Sequence, residues 1–190
     1  MKIFTLIGGV NGTGKSSLTG ALKAERNDLG IIIDVDKMAA EGNLTNLEAG
    51  KAAIKKINEC LDRGVSFTQE TTLSGYKTER TVKEAREKGY YIRLYYIGLD
   101  TFDECLKRIE NRVAKGGHDI PTDDVARRFD NRFDSLIKIL PYCDEVTLFD
   151  NDNGFMEIAE YKNGEIIPKG EWRPQWLQDL TKTLKTEAQL

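Results

Sequence analysis

The chain has 190 residues, enough for one hydrophobic core and short for two independent ones. Lysine and arginine total 28 against 31 aspartates and glutamates, and the net charge of −3 disfavours non-specific nucleic-acid binding because no broad positive field would hold a polyanion. The three cysteines, Cys60, Cys105 and Cys143, lie far apart without a C-x-x-C pair, which indicates reduced packing residues. Met1 leads straight into an apolar strand without a signal-like region, and no stretch could span a bilayer, so we expect a cytoplasmic protein without membrane partners.

Short β-rich segments alternate with helical segments along most of the chain, which predicts an α/β fold with a parallel sheet. The predicted strands span residues 2–7, 30–34, 65–70, 90–98 and 145–149. The predicted helices span residues 15–26, 48–63, 77–88, 102–114 and 122–140. Ligands of such sheets bind beyond the carboxyl ends of the strands, so the residues that follow each strand are candidates for chemistry. They are Asp34, Asp36, Glu70 and Asp100.

The first predicted strand leads into GVNGTGKSS, which fits the spacing G-x-x-x-x-G-K-[ST] from Gly9 to Ser16. This pattern predicts a phosphate cradle, because the glycines let backbone N–H groups turn toward phosphate oxygens at the positive end of a new helix. Lys15 would reach the β and γ phosphates of a nucleotide, and the Ser16 hydroxyl would ligate Mg²⁺. The candidate nucleotide-binding residues are Asn11, Gly12, Thr13, Gly14, Lys15, Ser16 and Ser17.

Two carboxylates follow the second predicted strand in IIIDVDKM. Side chains alternate along an extended segment, so Asp34 and Asp36 would lie on the same side of it, toward the phosphates. A phosphotransferase needs a carboxylate that orients the acceptor hydroxyl and accepts its proton, and we assign this role to Asp36. Capping of the next turn is the alternative for either aspartate.

Glu70 ends the third predicted strand and opens the segment ETTLSG. Its carboxylate would bind Mg²⁺ through water or would contact a substrate hydroxyl, and Thr71 and Thr72 add hydroxyls nearby. Ser74 is a candidate cap for the helix that follows, an interpretation that leaves Glu70 unexplained.

The segment RIENRVAKGGHDIPTDDVARRFDNR joins the last two predicted helices. Arginines four residues apart share one face on each helix, and Gly116-Gly117 lies between the helices. The pattern predicts a lid over about residues 112–132 that brings arginines to a triphosphate and excludes water. The alternative is a solvated surface held by ion pairs along each helix.

The chain changes character after Asp150. FMEIAEYKNGEIIPKG predicts two short strands around an Asn163-Gly164 turn, a small antiparallel appendage. A helix beginning at Pro174 carries Trp176 and several leucines on one face, which favours packing against the body over partner binding. We predict a domain over residues 1–165 and a tail over residues 166–190.

The segments GVNGTGKSSL, IIIDVDKM, ETTLSG and RVAKGGHDIPTDDVARRF, in this order, resemble the zeta-toxin-like family of small ATPases and kinases over about residues 1–160. ETTLSG together with the glycine-histidine lid is more specific than the phosphate loop alone. The resemblance implies a three-layer P-loop kinase-like fold, ATP and Mg²⁺ as cofactors, and transfer of the γ-phosphate to a small-molecule hydroxyl. The toxins phosphorylate UDP-N-acetylglucosamine, and an antitoxin protein is the partner that the resemblance implies.

The resemblance also implies roles for single residues. It makes Lys15 the phosphate lysine, Ser16 the Mg²⁺ ligand and Asp36 the base. Glu70 and Thr71 become contacts to substrate, and Glu70 also to metal.

In the lid, Arg112 matches a family arginine. The best-known toxins carry a second lid arginine shortly before the lid proline, whereas this chain has His118 before Pro121. We keep His118 as a substrate contact in the lid turn. Arg127 or Arg128 would supply the missing positive charge, and the sequence does not decide between them.

Two other functions fit parts of the sequence. An ABC-type ATPase is one alternative, because its signature motif and a Walker B strand ending at Asp100 are similar to the segment LSGYKTERTVKEAREKGYYIRLYYIGLD. Thr101, however, stands where such an ATPase would have a glutamate. A nucleotide-binding interaction module would depend on Trp172 and Trp176 in the tail.

Overall fold

The computed structural model describes residues 1–187. The strands are β1 (Ile3–Gly8), β2 (Ile31–Ile33), β3 (Phe67–Thr71), β4 (Tyr91–Gly98), β5 (Glu145–Asp150), β6 (Met156–Lys162) and β7 (Glu165–Pro168). The helices are α1 (Lys15–Glu25), α2 (Val35–Gly42), α3 (Asn46–Arg63), α4 (Tyr76–Glu87), α5 (Phe102–Ala114), α6 (Thr122–Asp130), α7 (Asp134–Ile139) and α8 (Gln175–Glu187).

All seven strands form one sheet in the order β2-β3-β1-β4-β5-β6-β7. The first five strands in the chain are parallel, and β6 and β7 join the edge antiparallel. The predicted parallel α/β fold is confirmed. The carboxyl ends of β1 to β5 therefore meet at one edge of the sheet, with β3 and β2 on one side of β1 and β4 and β5 on the other.

Alternation along the strands buries side chains on both faces of the sheet. Phe4 and Leu6 of β1 enter a core cluster with residues of α3, α4, α7 and α8. Ile7 packs on the opposite face with Leu18 and Leu22 of α1. These clusters give the three layers. A third cluster joins the loop after β1 to α5 and α6, which places this helical pair at the carboxyl edge.

Two predicted elements differ from the structure. Helix α2 was not predicted; it begins directly after β2 because the Asp34 carboxylate accepts a hydrogen bond from the Lys37 N–H and caps the new helix. The predicted helix over 122–140 divides into α6 and α7. Asn131 donates both its backbone N–H and its side-chain amide to the Arg127 carbonyl at the end of α6.

The C-terminal hairpin follows the prediction. Asn163 and Gly164 both have positive φ, 54° and 86°, which suits the tight turn between β6 and β7. The predicted domain boundary at 165 coincides with the start of β7, whose pairing with β6 connects it to the main sheet. The division into a domain over 1–165 and a tail over 166–190 stays a prediction. Within residues 1–187, no helix is both long and apolar enough to cross a membrane.

Helix α8 packs against the body through Trp176, whose side chain is 1% exposed. The indole N–H donates to Asp150 Oδ1 at 2.9 Å, and the Trp176 backbone N–H donates to Asp100 Oδ1 at 2.8 Å. Asp150 is itself buried, so the indole provides hydrogen bonding that water would otherwise supply. Trp172 donates more weakly to the other Asp150 oxygen, at 3.3 Å.

We expect the substitution Trp176→Phe to lower the free energy of unfolding by about 1–3 kcal/mol, because it leaves a buried carboxylate oxygen without its donor. Urea denaturation followed by circular dichroism measures the change. Trp172→Phe is the matched control: this indole is 49% exposed and its hydrogen bond is longer. Equal losses for the two variants would contradict the assignment of Trp176 as the anchor.

Candidate functional site

A cleft of about 770 Å³ opens at the carboxyl edge of the sheet. Its floor is the loop between β1 and α1, residues 11–17 without the buried Thr13. One wall comes from the segments after β2 and β3, and the other from α5, α6 and the segment after β5. The cleft thus lies where the ends of the parallel strands predicted it.

Lys15 lies at the centre of the floor. Its Nζ donates to the carbonyl oxygens of Gly9 at 2.9 Å and Val10 at 3.0 Å. Burial lowers the pKa of Lys15 to about 8, while Glu70, Asp36 and Asp34 act in the opposite direction. The ammonium group is therefore held among carbonyls that an anionic ligand would replace.

The loop itself is packed tightly. A side chain at Gly12 would place its Cβ 2.5 Å from the carbonyl oxygen of Cys105 in α5, so only glycine fits there. Thr13 is fully buried outside the cleft lining, and its hydroxyl donates to the Val10 carbonyl. Its role in nucleotide binding stays a prediction. Asn151, after β5, donates to the Thr13 carbonyl at 2.8 Å and holds the loop from the other side.

Glu70 is 9% exposed and faces the start of α1. Its carboxylate accepts hydrogen bonds from Ser16 Oγ at 2.8 Å and from Thr19 Oγ1 at 2.6 Å. Burial raises the pKa of Glu70, with the charge of Asp34 acting in the same direction and the two hydroxyls and Lys15 acting against it. Glu70 therefore connects the end of β3 to the first turns of α1 through these two hydrogen bonds.

Asp34 and Asp36 both line the cleft, but the extended segment predicted for them is wrong. Asp34 caps α2 and Asp36 lies in its first turn, because the helix starts immediately after β2. The capping alternative therefore applies to Asp34. The Asp36 side chain is exposed to the cleft and has no hydrogen bond or ion pair with any residue of 1–187.

The ETTLSG segment turns sharply after β3. Leu73 adopts a positive φ of 56°, which is uncommon for a leucine, and it packs fully buried against Gly8 at the end of β1. The Thr71 hydroxyl accepts from the Leu73 N–H at 3.0 Å and lies 3.3 Å from the Thr78 hydroxyl, so it is engaged in the turn although it lines the cleft. Ser74 does not cap α4, which begins after Gly75 without a side-chain cap.

Arg112 reaches the cleft from the end of α5. Its Nη2 donates to the His118 carbonyl at 2.6 Å, and a Cβ at Gly117 would lie 2.5 Å from Arg112 Cγ. The paired glycines therefore let the chain fold back onto this arginine. The His118 side chain is exposed and lies outside the cleft lining, while its backbone carbonyl accepts the hydrogen bond from Arg112. Its contact with substrate stays a prediction.

The structure distinguishes between the two neighbouring arginines of α6. Arg128 lines the cleft, and its Nη1 donates to Asn11 Oδ1 in the phosphate loop at 2.7 Å. Arg127 lies outside the lining, is 67% exposed, and pairs with Asp124 at 2.7 Å. They face different sides because successive helical residues are about 100° apart. The Nε atoms of Arg112 and Arg128 are buried and have no partner within residues 1–187.

Arg108, Asn151 and Gln69 are among the lining residues that the prediction missed. Arg108 donates to the Asn151 carbonyl at 2.7 Å and to Glu104 at 2.8 Å; its position four residues before Arg112 was a usable signal. Asn151 directly follows β5, and residues that follow a parallel strand are candidates for the ligand site. Gln69 lines the cleft with a buried and unpartnered Oε1, and nothing in the sequence pattern identified it.

Oxygen ligands for a divalent cation are present near the floor. Ser16 Oγ lies beside the Glu70 carboxylate, and Asp34 is close enough to influence its charge. Hydroxyl and carboxylate oxygens, completed by phosphate and water, are the ligands that Mg²⁺ prefers. Among residues 1–187, no three His, Cys, Asp or Glu side chains cluster as a metal site, so a cation here would depend on phosphate oxygens.

A mostly parallel sheet with a phosphate loop after β1, a carboxylate on the adjacent strand β3 and arginines from α5 and α6 in the same cleft defines a P-loop kinase-like enzyme. The sequence model of the family described as Zeta toxin matches residues 1–155, and the chain belongs to that family. The predicted resemblance is confirmed.

Known proteins resemble this chain in sequence or in fold. An uncharacterized protein of Haemophilus influenzae is 36% identical over 126 residues, which cover 64% of this chain and 88% of that protein. A structure of the PezAT toxin-antitoxin system of Streptococcus pneumoniae aligns with a TM-score of 0.64 at 17% identity, over 100% of this chain and 86% of that one. A structure of AvrRxo1-ORF1:AvrRxo1-ORF2 with sulphate ions has a TM-score of 0.67 at 16% identity, over 97% of this chain and 65% of that one. At these identities the two structures share the fold.

Proposed function

We propose that this protein transfers the γ-phosphate of ATP to a hydroxyl group of a small molecule. The observation that carries the proposal is the unpartnered Asp36 carboxylate, which faces the same cleft as Lys15, Arg112 and Arg128. The site thus combines cationic groups that would bind a triphosphate with a carboxylate that would accept the proton of a hydroxyl group.

In this proposal the backbone N–H groups after Gly12 hold the triphosphate, and the Lys15 ammonium leaves the Gly9 and Val10 carbonyls for phosphate oxygens. Ser16 and Glu70 are the residues that would hold Mg²⁺. When bound, the cation neutralises charge on the β and γ phosphates.

Asp36 accepts the proton of the acceptor hydroxyl as its oxygen forms a bond to the γ phosphorus. The bond between that phosphorus and the β–γ bridging oxygen breaks, and ADP leaves with the bonding electron pair. Arg112 and Arg128 donate their N–H groups to the γ oxygens during transfer. The lid pair α5 and α6 excludes water that would hydrolyse ATP.

The similar structures support the nucleotide and a partner. AvrRxo1-ORF1:-ORF2 is known in a structure with ATP, and PezAT is a toxin-antitoxin system. For this chain we propose ATP as the phosphate donor and an antitoxin protein as a partner. The family resemblance offers a nucleotide sugar such as UDP-N-acetylglucosamine as the first acceptor to test. The cytoplasmic location stays a prediction.

The ABC-type alternative gains no support from the geometry. Asp100, its Walker B residue, lies outside the cleft lining and accepts a hydrogen bond from the Trp176 backbone. The interaction-module alternative loses its main evidence, because Trp176 is buried against the sheet.

Incubation with γ-labelled ATP, Mg²⁺ and either UDP-N-acetylglucosamine or a small-molecule cell extract tests the proposal. We expect label on an organic acceptor, detected by mass spectrometry, and none with the Lys15→Met variant. ATP hydrolysis without any labelled acceptor would contradict it.

Binding of ATP should also take up about half a proton at pH 8, because Lys15 has a pKa of about 8 in the free protein and the triphosphate favours its charged form. Below pH 7 the lysine is already protonated and this uptake disappears. Isothermal titration calorimetry in two buffers of different ionisation enthalpy measures it. The Lys15→Arg variant, whose side chain stays charged throughout, is the control, and equal uptake by both proteins would contradict the assignment.

A further inference from the structure

The two walls of the cleft carry opposite charge. The acidic wall consists of Glu70 near the carboxyl end of β3 and of Asp34 and Asp36 after β2. The wall formed by α5 and α6, on the other side of β1, contributes four cationic side chains. They are Arg108, Arg112, Lys115 and Arg128. A triphosphate on the floor therefore has its cationic contacts on one side, and the second substrate meets the acidic wall.

No lysine or arginine belongs to the acidic wall among the described residues that line the cleft. Lys37 is the one basic residue of α2, and its side chain is 60% exposed, lies outside the lining and pairs with Glu41 at 3.6 Å. Glu70 is taken up by the proposed Mg²⁺, so an acceptor carrying phosphate or carboxylate groups would find no lysine or arginine on this wall and would face the carboxylates of Asp34 and Asp36.

Several hydrogen-bond acceptors on this wall have no partner within residues 1–187. Gln69 Oε1 is buried without a partner, the Asp36 carboxylate is unpartnered, and one oxygen of Asp34 is left after capping α2. A buried acceptor without a donor costs about 1–3 kcal/mol, which a ligand hydroxyl or ammonium group would recover. The hydroxyl of Thr72 is already hydrogen-bonded to Ser74. These acceptors suit a ligand that carries several hydrogen-bond donors.

The cationic wall is largely engaged with the protein and the expected triphosphate. Arg108 is held by Glu104 and two carbonyls, and Arg128 by Asn11. Moreover, no aromatic side chain lines the cleft within residues 1–187, so the wall has no surface on which a second nucleobase would stack. Both observations oppose an acceptor built on a nucleoside diphosphate.

We propose that the phosphate acceptor is a small polyhydroxylated molecule that is uncharged or carries an amine, such as a sugar or an amino sugar, and that it binds against Asp34, Asp36 and Gln69. This inference rests on the proposed phosphotransferase activity and narrows its substrate class. The reaction is the one given above, with the acceptor proton passing to Asp36 and ADP as the leaving group.

The test separates a small-molecule cell extract by charge into anion-exchange-bound, cation-exchange-bound and unbound fractions, and incubates each with the protein and γ-labelled ATP. We expect labelled acceptors from the unbound or cation-bound fractions. Transfer confined to the anion-bound fraction would overturn the inference and leave the proposed activity standing. Transfer in none of the fractions would overturn both.

A second experiment compares four forms of one sugar as phosphate acceptors. They are glucosamine, N-acetylglucosamine, N-acetylglucosamine 1-phosphate and UDP-N-acetylglucosamine. The two phosphorylated forms each carry about two negative charges near neutral pH, so we expect kcat/KM to be higher for glucosamine and N-acetylglucosamine than for either of them. A higher kcat/KM for the phosphorylated forms would overturn the inference.

The variant Gln69→Leu tests the wall directly on whichever acceptor is labelled. We expect KM for that acceptor to rise about tenfold, since one hydrogen bond is lost, while KM for ATP stays the same. An equal rise in both constants, or none in the acceptor KM, would overturn the placement. Circular dichroism confirms that the variant is folded.

Discussion

Replacing Asp36 with asparagine should lower kcat for phosphate transfer about 10²- to 10⁴-fold and leave the Kd for ATP nearly unchanged. Asparagine keeps the size of the side chain and its place in the first turn of α2 but cannot accept the proton of the acceptor hydroxyl. The Asp36 side chain is exposed to the cleft and has no partner within residues 1–187, so its loss removes no structural contact.

The control for Asp36 is Glu41→Gln, the same loss of one negative charge on the same helix. Glu41 is 70% exposed, lies outside the cleft lining, and has Lys37 as its one ion-pair partner within residues 1–187. Transfer to the labelled acceptor and ATP binding by calorimetry are measured for both variants. Similar kcat values for Asp36→Asn and Glu41→Gln would exclude Asp36 as the base.

The second large effect is expected at Arg128. The substitution Arg128→Gln should lower kcat about 10³-fold or more, the range found for an arginine that stabilises charge on a transferring phosphoryl group. Arg128 lines the cleft, contacts Asn11 of the phosphate loop at 2.7 Å, and keeps a buried Nε without a partner within residues 1–187. Its guanidinium is thus already held beside the floor on which the γ-phosphate would lie.

Arg127→Gln provides a control one residue away in the same helix. This side chain is 67% exposed and pairs with Asp124, so we expect kcat to stay near the wild-type value. Single-turnover rates with saturating ATP separate an effect on transfer from one on nucleotide binding. If Arg127→Gln lost activity and Arg128→Gln kept it, the lid arginine would be misassigned.

Much of the architecture was predictable because it depends on local patterns. The run MKIFTLIG followed by a glycine loop and a lysine specifies a strand, a phosphate loop and a helix in adjacent residues, and the structure has β1 and α1 there. The Asn163-Gly164 turn was predictable for a similar reason, because few residues adopt two successive positive φ angles.

Errors arose where a single side chain changed the backbone path. The IIIDVDKM segment reads as a strand that carries two aspartates on one side, yet Asp34 caps a helix at once and moves Asp36 onto it. The positive φ of Leu73 is equally hidden, because it is maintained by packing against Gly8 from a strand almost seventy residues earlier.

The sequence by itself determined the α/β class, the phosphate loop and the membership in a family, since each depends on residues close together in the chain. Only the tertiary structure decided which lid arginine reaches the loop, that His118 contributes its carbonyl, and that Gln69 lies unpartnered in the cleft. The separation of charge between the two walls is also a tertiary property. It follows from the strand order, which places the carboxylates at the carboxyl ends of β2 and β3 on one side of Lys15 and the arginines of α5 and α6 on the other.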